Sequence, residues 1–388
     1  MKLEEFDCPS CGASLTVNEG KKTLSCPYCD STVIVPEQLH PKEPVGSPRQ
    51  PSRPVQPTVV IDPAHTTRTC SRAIVMILFS TLLVAGISLF VFTQLSPENV
   101  GELIDQTITH VTTATGGGVE EVRRFGGEGM SAGYFQSASC LCPGGNGSIL
   151  VGDSESGRIQ HFSPSGSYME HWTLEGEDLY LSSMARSLDG DLYLVYDSEI
   201  YLHDPSTMER VGQLHHPEGW GFEDVEVTDD GKVVAAWYCN RDDIAVFNPD
   251  GSLDFLMEDA ISGITGDSEL TMDVEVDGEG NIYAYGSFNE SFFKFDPEGN
   301  FQNRFGSSGD RPGQLTAPTA FCIDPRGRLW VSDFNRLKVY DGSGTFLDSF
   351  DPKMTFHDMY MADGYQLYGI LSGNQVVQLD LSGAAGSL

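Results

Sequence analysis

The segments RFGGEGMSAGYF, beginning at Arg124, and RFGSSGDRPGQL, beginning at Arg304, share Arg, Phe, Gly and two later glycines at matching offsets, 180 residues apart. Four periods of about 45 residues fit that separation, and a period in this range marks a chain of stacked supersecondary units. Two series of turns keep the same beat. One comprises Gly147, Gly190, Gly231, Gly280, Gly327 and Gly364, mostly after Asp, Asn or Glu. The other reads SPSG, DPST, NPDG, DPEG, DGSG and DLSG. Between them lie β-rich runs such as LYLVYDSEIYLHD, IYAYGSFNESFFKFD and LWVSDFNRLKVYD. Turn, strand, strand, turn, strand in each period makes a four-stranded antiparallel blade. Six turns in each series predict a mainly β fold, a six-bladed propeller over residues 119–388.

A ring of blades has to close, because an open last blade presents an unpaired edge. The final unit ends near QVVQLDLSG without an outer strand, while VEEVRRF precedes the first unit and matches FQNRF before Gly306. Residues 119–125 are therefore expected to complete blade six. The stretch FGSSGDRPGQLTAPTAFCIDPRGRLWVSDFNRLKVYDGSGTFLDSF resembles an NHL repeat, and FGGEGMSAGYF with ILVGDSESGRIQHFSPSG resembles another. The likeness is close in blades one and five and looser in the others. It implies an NHL-type propeller, a fold used mostly as a binding platform for proteins or nucleic acid and in some relatives as a lyase or lactone hydrolase.

Aligned on the first turn series, the position seven residues before each glycine holds Cys140, Ser183, Asp224, Asp273, Ala320 and His357, with Asp358 one further on. NHL repeats usually place glycine there, at the start of the innermost strand. Asp224, Asp273 and Asp358 thus point to carboxylates converging at the channel mouth, where Ca2+, another divalent cation or a cationic ligand would suit them. The competing reading is that each aspartate caps a turn or accepts a neighbouring amide. His161, His171, His203, His215, His216 and His357 fall at unrelated repeat positions and do not define a metal centre. GMSAG at 129–133 matches the nucleophile pattern GxSxG, but it lies in a loop whose blade-five counterpart is GDRPG, not on a strand–turn–helix. Cys140, Cys142, Cys239 and Cys322 sit at strand positions and read as small buried side chains. Asn146 and Asn289 begin NxS sequons, which matter only in a eukaryotic secretory route.

The rest of the chain is of another kind. From Ala73 to Leu95 run 23 residues rich in Ile, Leu, Val and Phe with no ionisable side chain. That length matches the roughly 20 residues a transmembrane helix needs. It begins too far along the chain for a cleaved leader. Arg49, Arg53, Arg68 and Arg72 precede it; Glu98, Glu102 and Asp105 follow. The positive-inside rule then places the N-terminal side in the cytoplasm and the propeller outside, in a single-pass cell-membrane protein. Residues 1–95 carry eight Lys/Arg against eight Asp/Glu, so all 33 net negative charges of the chain lie beyond the apolar run. A nucleic-acid face is not expected on such a surface.

At the cytoplasmic end, Cys8 and Cys11 form one CxxC and Cys26 and Cys29 another, fourteen residues apart. Two such knuckles aim four thiolates at one point, the tetrahedral set that Zn2+ prefers. CPSCG and CPYCD resemble the knuckles of the zinc-ribbon family over residues 1–36. Four protein ligands leave no open position, so the expected Zn2+ is structural, and the ribbon reads as structural or as a dock for a cytoplasmic protein. Residues 37–72 are proline-rich and read as an extended tether. Residues 96–118 read as a stalk helix started by Ser96, Pro97 and Glu98 and ended by a glycine linker. Three functional readings stay open: a propeller that binds an extracytoplasmic protein or small ligand, a metal-dependent propeller enzyme, and a scaffold assembling through stalk and linker.

Overall fold

The computed structural model describes residues 118–388, apart from 175, 177 and 178, together with the backbone of five short strands before them. Six antiparallel sheets make up the C-terminal body. Blade one consists of Ala138–Gly145, Ser148–Asp153, Arg158–Phe162 and Tyr168–Thr173. The inner strands of the next five blades are Leu181–Arg186, Phe222–Val227, Met272–Val276, Pro318–Ile323 and Phe356–Ala362. Each of blades one to five adds three further strands in order outward. Blade six takes Gln366–Leu371 and Gln375–Asp380 from its own repeat, then pairs Val119–Gly126 antiparallel to the latter. The chain is therefore a six-bladed β-propeller whose ring is joined by a strand from the other end of the repeat region.

Alternation explains why these segments are strands, and burial on both faces explains why the second strand of each blade is mostly apolar. Ser148–Asp153, Leu192–Tyr196, Ile282–Gly286 and Leu329–Asp333 are buried at every residue. Such strands lie between neighbouring blades and cannot show the one-sided pattern of a solvated sheet. The core consists of six slabs, one in each gap between blades. The slab across the seam unites Phe135, Ile149, Val151 and Phe162 with Tyr368, Ile370 and Val376. Each fully buried side chain of this size contributes about 1.5–3 kcal/mol by leaving water.

The two related loops adopt one conformation. Gly129 N donates to Phe135 O at 2.9 Å, and Gly309 N donates to Leu315 O at 2.8 Å. Isolated parallel bridges join Glu128 to Phe135 and Ser308 to Leu315. The shared glycines are required: Gly126 and Gly306 have φ of 85° and 69°, Gly133 and Gly313 of 82° and 79°, a region that side-chain-bearing residues disfavour. The second turn series works through its aspartates. Asp341 Oδ1 accepts Ser343 N and Thr345 N, each at 2.9 Å, and Asp296 Oδ1 accepts Asn300 N at 2.8 Å, so the carboxylate supplies the turn bonds that the backbone lacks.

The predicted stalk segment ends differently from expectation. Ala114–Thr115 forms a fifth strand on blade six, against Val119–Gly126; the rest of the stalk lies outside the described residues. Gly118 then crosses the C-terminal helix Ser382–Ser387, accepting Ala384 N at 2.9 Å. A Cβ on Gly118 would lie 2.7 Å from Ala384 N and Gly383 C, at a φ of +86°. Gly118→Ala should therefore cost about 1–3 kcal/mol, read as a lower midpoint in thermal unfolding of the full-length protein. An unchanged midpoint would mean that the crossing gives way without strain.

Two further strand pairs lie near the N-terminus: Glu4–Asp7 with Ser14–Val17, and Thr23–Ser25 with Thr32–Ile34. Cys8, Cys11, Cys26 and Cys29 fall between the members of these pairs, outside the described residues. The apolar run at 73–95 and the proline-rich tether also lie outside them. Among the described residues no helix is long and apolar enough to cross a membrane.

Candidate functional site

The six inner strands surround a central cavity of about 400 Å³. Each inner strand begins at the face that carries the loops between blades and runs toward the turn-glycine face. Cross-strand pairing fixes equivalent positions: Cys140 faces Gly152, Ser183 Val195, Asp224 Ala236, Asp273 Tyr285, Ala320 Ser332 and Asp358 Ile370. In blade six the residue at the equivalent position is thus Asp358, not His357. The three-residue turn Asp363–Tyr365 replaces the five-residue turns of blades two to five, so counting back from its glycine overshoots by one.

The predicted residues Asp224, Asp273 and Asp358 all line this cavity. They are held differently. Asp224 Oδ2 accepts Val274 N of the next blade at 2.7 Å, and Asp358 Oδ2 accepts Leu141 N across the seam at 2.7 Å. Ser183 plays the same part for Val225 N at 3.3 Å. These side chains clasp one blade to the next. Asp273 takes no hydrogen bond among the described residues and is open to lumen water. Among the described residues, no group of three or more His, Cys, Asp and Glu is arranged to hold a metal ion.

Three more carboxylates join them. Glu226 and Glu275 lie two residues along the same strands as Asp224 and Asp273, and strand alternation turns them into the same lumen. Their signal was present in the sequence, five residues before each turn glycine. Glu223 had no such signal. It is the extra residue of a β-bulge between Phe222 and Asp224, and a bulge re-aims one side chain without disturbing the pattern around it. Ser139, Ser182 and Thr319 are bulge residues of the same kind. Their hydroxyls donate to Leu181 O, Glu223 O and Phe356 O at 3.0, 3.0 and 2.6 Å.

Six carboxylates in one lumen raise one another's proton affinity. Enclosure within the narrow lumen, then the charges of Asp224, Asp358, Glu223 and Glu269, push Asp273 up to about 8, although its carboxylate still meets lumen water. Burial raises Asp358 to about 7 against the bond from Leu141 N, with Asp224 adding to the rise. Glu223 also reaches about 7, through burial and the nearby Asp224 and Glu269, against a bond from Met272 N. Burial and the neighbouring carboxylates hold Glu226 and Glu275 well above the usual range. Arg186, at the far turn end, and His357 are the basic side chains of the lining. The thiols of Cys140, Cys142 and Cys322 are raised by burial. They stay protonated and carry no nucleophile. The lumen can attract and hold positive charge and can give up protons as it does so.

The comparisons place the chain only loosely. No protein-family model matches it, and no curated protein does. Among solved structures it is similar to a protein of unknown function from Bacteroides caccae, at 15% identity and a TM-score of 0.47, over 61% of this chain and 90% of that one. It is also similar to virginiamycin B lyase from Staphylococcus aureus, at 12% identity and a TM-score of 0.46, over 66% and 94%.

Proposed function

We propose that the chain is a membrane-anchored, NHL-type binding propeller whose channel mouth takes a positively charged group. The observation that carries this reading is the lumen itself: Glu223, Asp224, Glu226, Asp273, Glu275 and Asp358 share it, and Asp273 among them lacks a hydrogen bond. A cation entering there would displace protons from these carboxyls, and the charge so freed would act on it across a low-dielectric wall. The uncharged run at 73–95 and the basic residues before it support a single span with the propeller outside. At the other end, Cys8, Cys11, Cys26 and Cys29 are the donor set for a tetrahedral Zn2+, and each pair falls between two antiparallel strands. Bound there, Zn2+ would hold the ribbon folded and supply no chemistry.

The test is calorimetric titration of the full-length protein in detergent with Ca2+ and, separately, with arginine methyl ester. Binding of at least one probe is expected to weaken as pH falls from about 8 to 6, because Asp273 protonates near 8 and Asp358 and Glu223 near 7. Asp273→Asn should weaken it by about tenfold. Affinity indifferent to both the pH and the substitution would remove the channel mouth from the reading.

A further inference from the structure

Large apolar side chains left in water are distributed unevenly over this propeller. Met130, Tyr134, Tyr180, Trp220, Phe288 and Phe334 are all exposed, and all lie in the loops between blades or between second and third strands. Antiparallel blades bring those two loop classes to one face, the face where Asp273 and Glu223 open. The opposite face, made by the turns after the first and third strands, shows only Leu188 among the exposed large hydrophobics of the described residues. Trp220, Phe288 and Phe334 stand on consecutive blades three, four and five, at 62%, 64% and 65% exposure. Large aromatic side chains exposed on one face, the face with the polar mouth, mark an interaction surface.

Phe334 adds an independent sign. It and Asn335 form the two-residue turn between Asp333 and Arg336, with φ of 44° and 65°. Such turns favour Asn, Asp and Gly, and the matching turn of blade two uses Asp197 and Ser198. A bulky aromatic in the left-handed region is strained and, here, gains no burial in return. Strain kept at an exposed side chain points to contact with something outside the fold.

We infer that this face docks a cationic, apolar segment of a partner protein, laid across Trp220, Phe288 and Phe334, with a Lys or Arg side chain directed into the mouth at Asp273 and Glu223. The inference rests on the channel mouth accepting positive charge. Charge complementarity selects the occupant. The chain carries 33 net negative charges, all beyond residue 95, so a second copy or an anionic lipid surface would bring like charge to the mouth.

Trp220 makes the test direct. Trp237 and Trp330 are wholly buried and Trp172 is partly so, which leaves Trp220 as the most exposed of the four tryptophans. The full-length protein in detergent is titrated with a short synthetic peptide alternating Lys and Leu, and with a Lys–Ser peptide of equal charge, following acrylamide quenching of tryptophan emission. The Lys–Leu peptide is expected to shield Trp220 and to bind at least about tenfold more tightly than the Lys–Ser peptide. Phe288→Ser and Phe334→Asn should each weaken it by about fivefold or more. Phe334→Asn should at the same time raise the melting temperature by about 1–3 °C, since it relieves the turn. A Phe334→Asn protein that melts higher and still binds fully would overturn the inference. So would Trp220 already shielded before any peptide is added, which would mean that another part of this chain covers the face. Equal binding of both peptides, weakened by Asp273→Asn, would leave the channel reading standing and sink the docking surface; binding of neither would sink both.

Discussion

The Asp333→Ala variant should melt about 10 °C below the parent protein, a loss of about 3–5 kcal/mol. Asp333 ends the second strand of blade five and is 1% exposed. Its carboxylate accepts Thr316 N at 2.9 Å and Ala317 N at 2.6 Å from the loop that enters the blade, and it pairs with Lys338 Nζ. Lys338, itself buried, otherwise donates to Gln314 O. Alanine would leave two amides without an acceptor and a buried cation with a carbonyl, Gln314 O, but no counter-charge. The uncompensated charge is the larger part, so Asp333→Ala/Lys338→Met should recover most of the loss, as expected when both members of a buried pair become apolar. Blade one repeats the design with less at stake. Asp153 accepts four amides, Gln136 N at 2.7 Å, Ser156 N at 3.0 Å and Ser137 N and Glu155 N each at 3.2 Å, but its cation is looser: Arg158 stands 3.9 Å away and is held by Met130 O and Tyr134 O. Asp153→Ala should accordingly cost less than Asp333→Ala, and thermal unfolding of the two variants side by side checks the order. An equal or larger loss from Asp153→Ala, which frees four amides against two, would assign the larger part of the effect to the amides.

The second large effect is on pH dependence. The full-length protein should lose about 3–8 °C of melting temperature between about pH 5.5 and 8.5. Asp273 holds its proton to about 8 in the fold, and Asp358 and Glu223 to about 7, while unfolded carboxyls release theirs near 4. Folding therefore takes up protons across this window, and stability declines as pH rises through it. His203 and His216 act in the opposite sense. Burial lowers both, so stability rises with pH until about 6.5, where the unfolded imidazoles lose their protons, and gains nothing from them above it. Lumen water screens the carboxylates, which limits the slope, but their displacement from the usual range is the greater and should set its sign. Asp273→Asn separates the contributions: it should raise the melting temperature most at pH 8.5, by clearly less at pH 5.5, and so flatten the profile. A profile that rises with pH in both proteins would show that the lumen carboxyls titrate normally.

The blade count could be read before any coordinates because each repeat has to reverse direction at fixed intervals, and reversal needs glycine or a turn-forming aspartate. Gly231 and Gly280, or Asp296 and Asp341, betray the period whatever lies between them. Asp224 and Asp273 were likewise visible, each seven residues before a turn glycine. Other features arise from events that no period records. Glu223 enters the lumen through a bulge, and Asp358 displaces His357 through a shortened turn. The clasping role of Asp224 and Asp358 depends on which blade each carboxylate faces. The Trp220, Phe288 and Phe334 face is assembled from three repeats at unrelated offsets, so it exists only once the ring is bent into a circle.

The strand at Val119–Gly126 has a consequence for synthesis. It leaves the ribosome before the three strands that blade six takes from its own repeat, and its partner Gln375–Asp380 is made some 250 residues later. At roughly 5–20 residues per second that is a wait of about 10–50 s. Through this interval the growing arc shows an unpaired border at each end, the template on which unrelated chains stick. Mutual repulsion among 33 surplus negative charges would keep neighbouring unfinished arcs apart until the circle is complete.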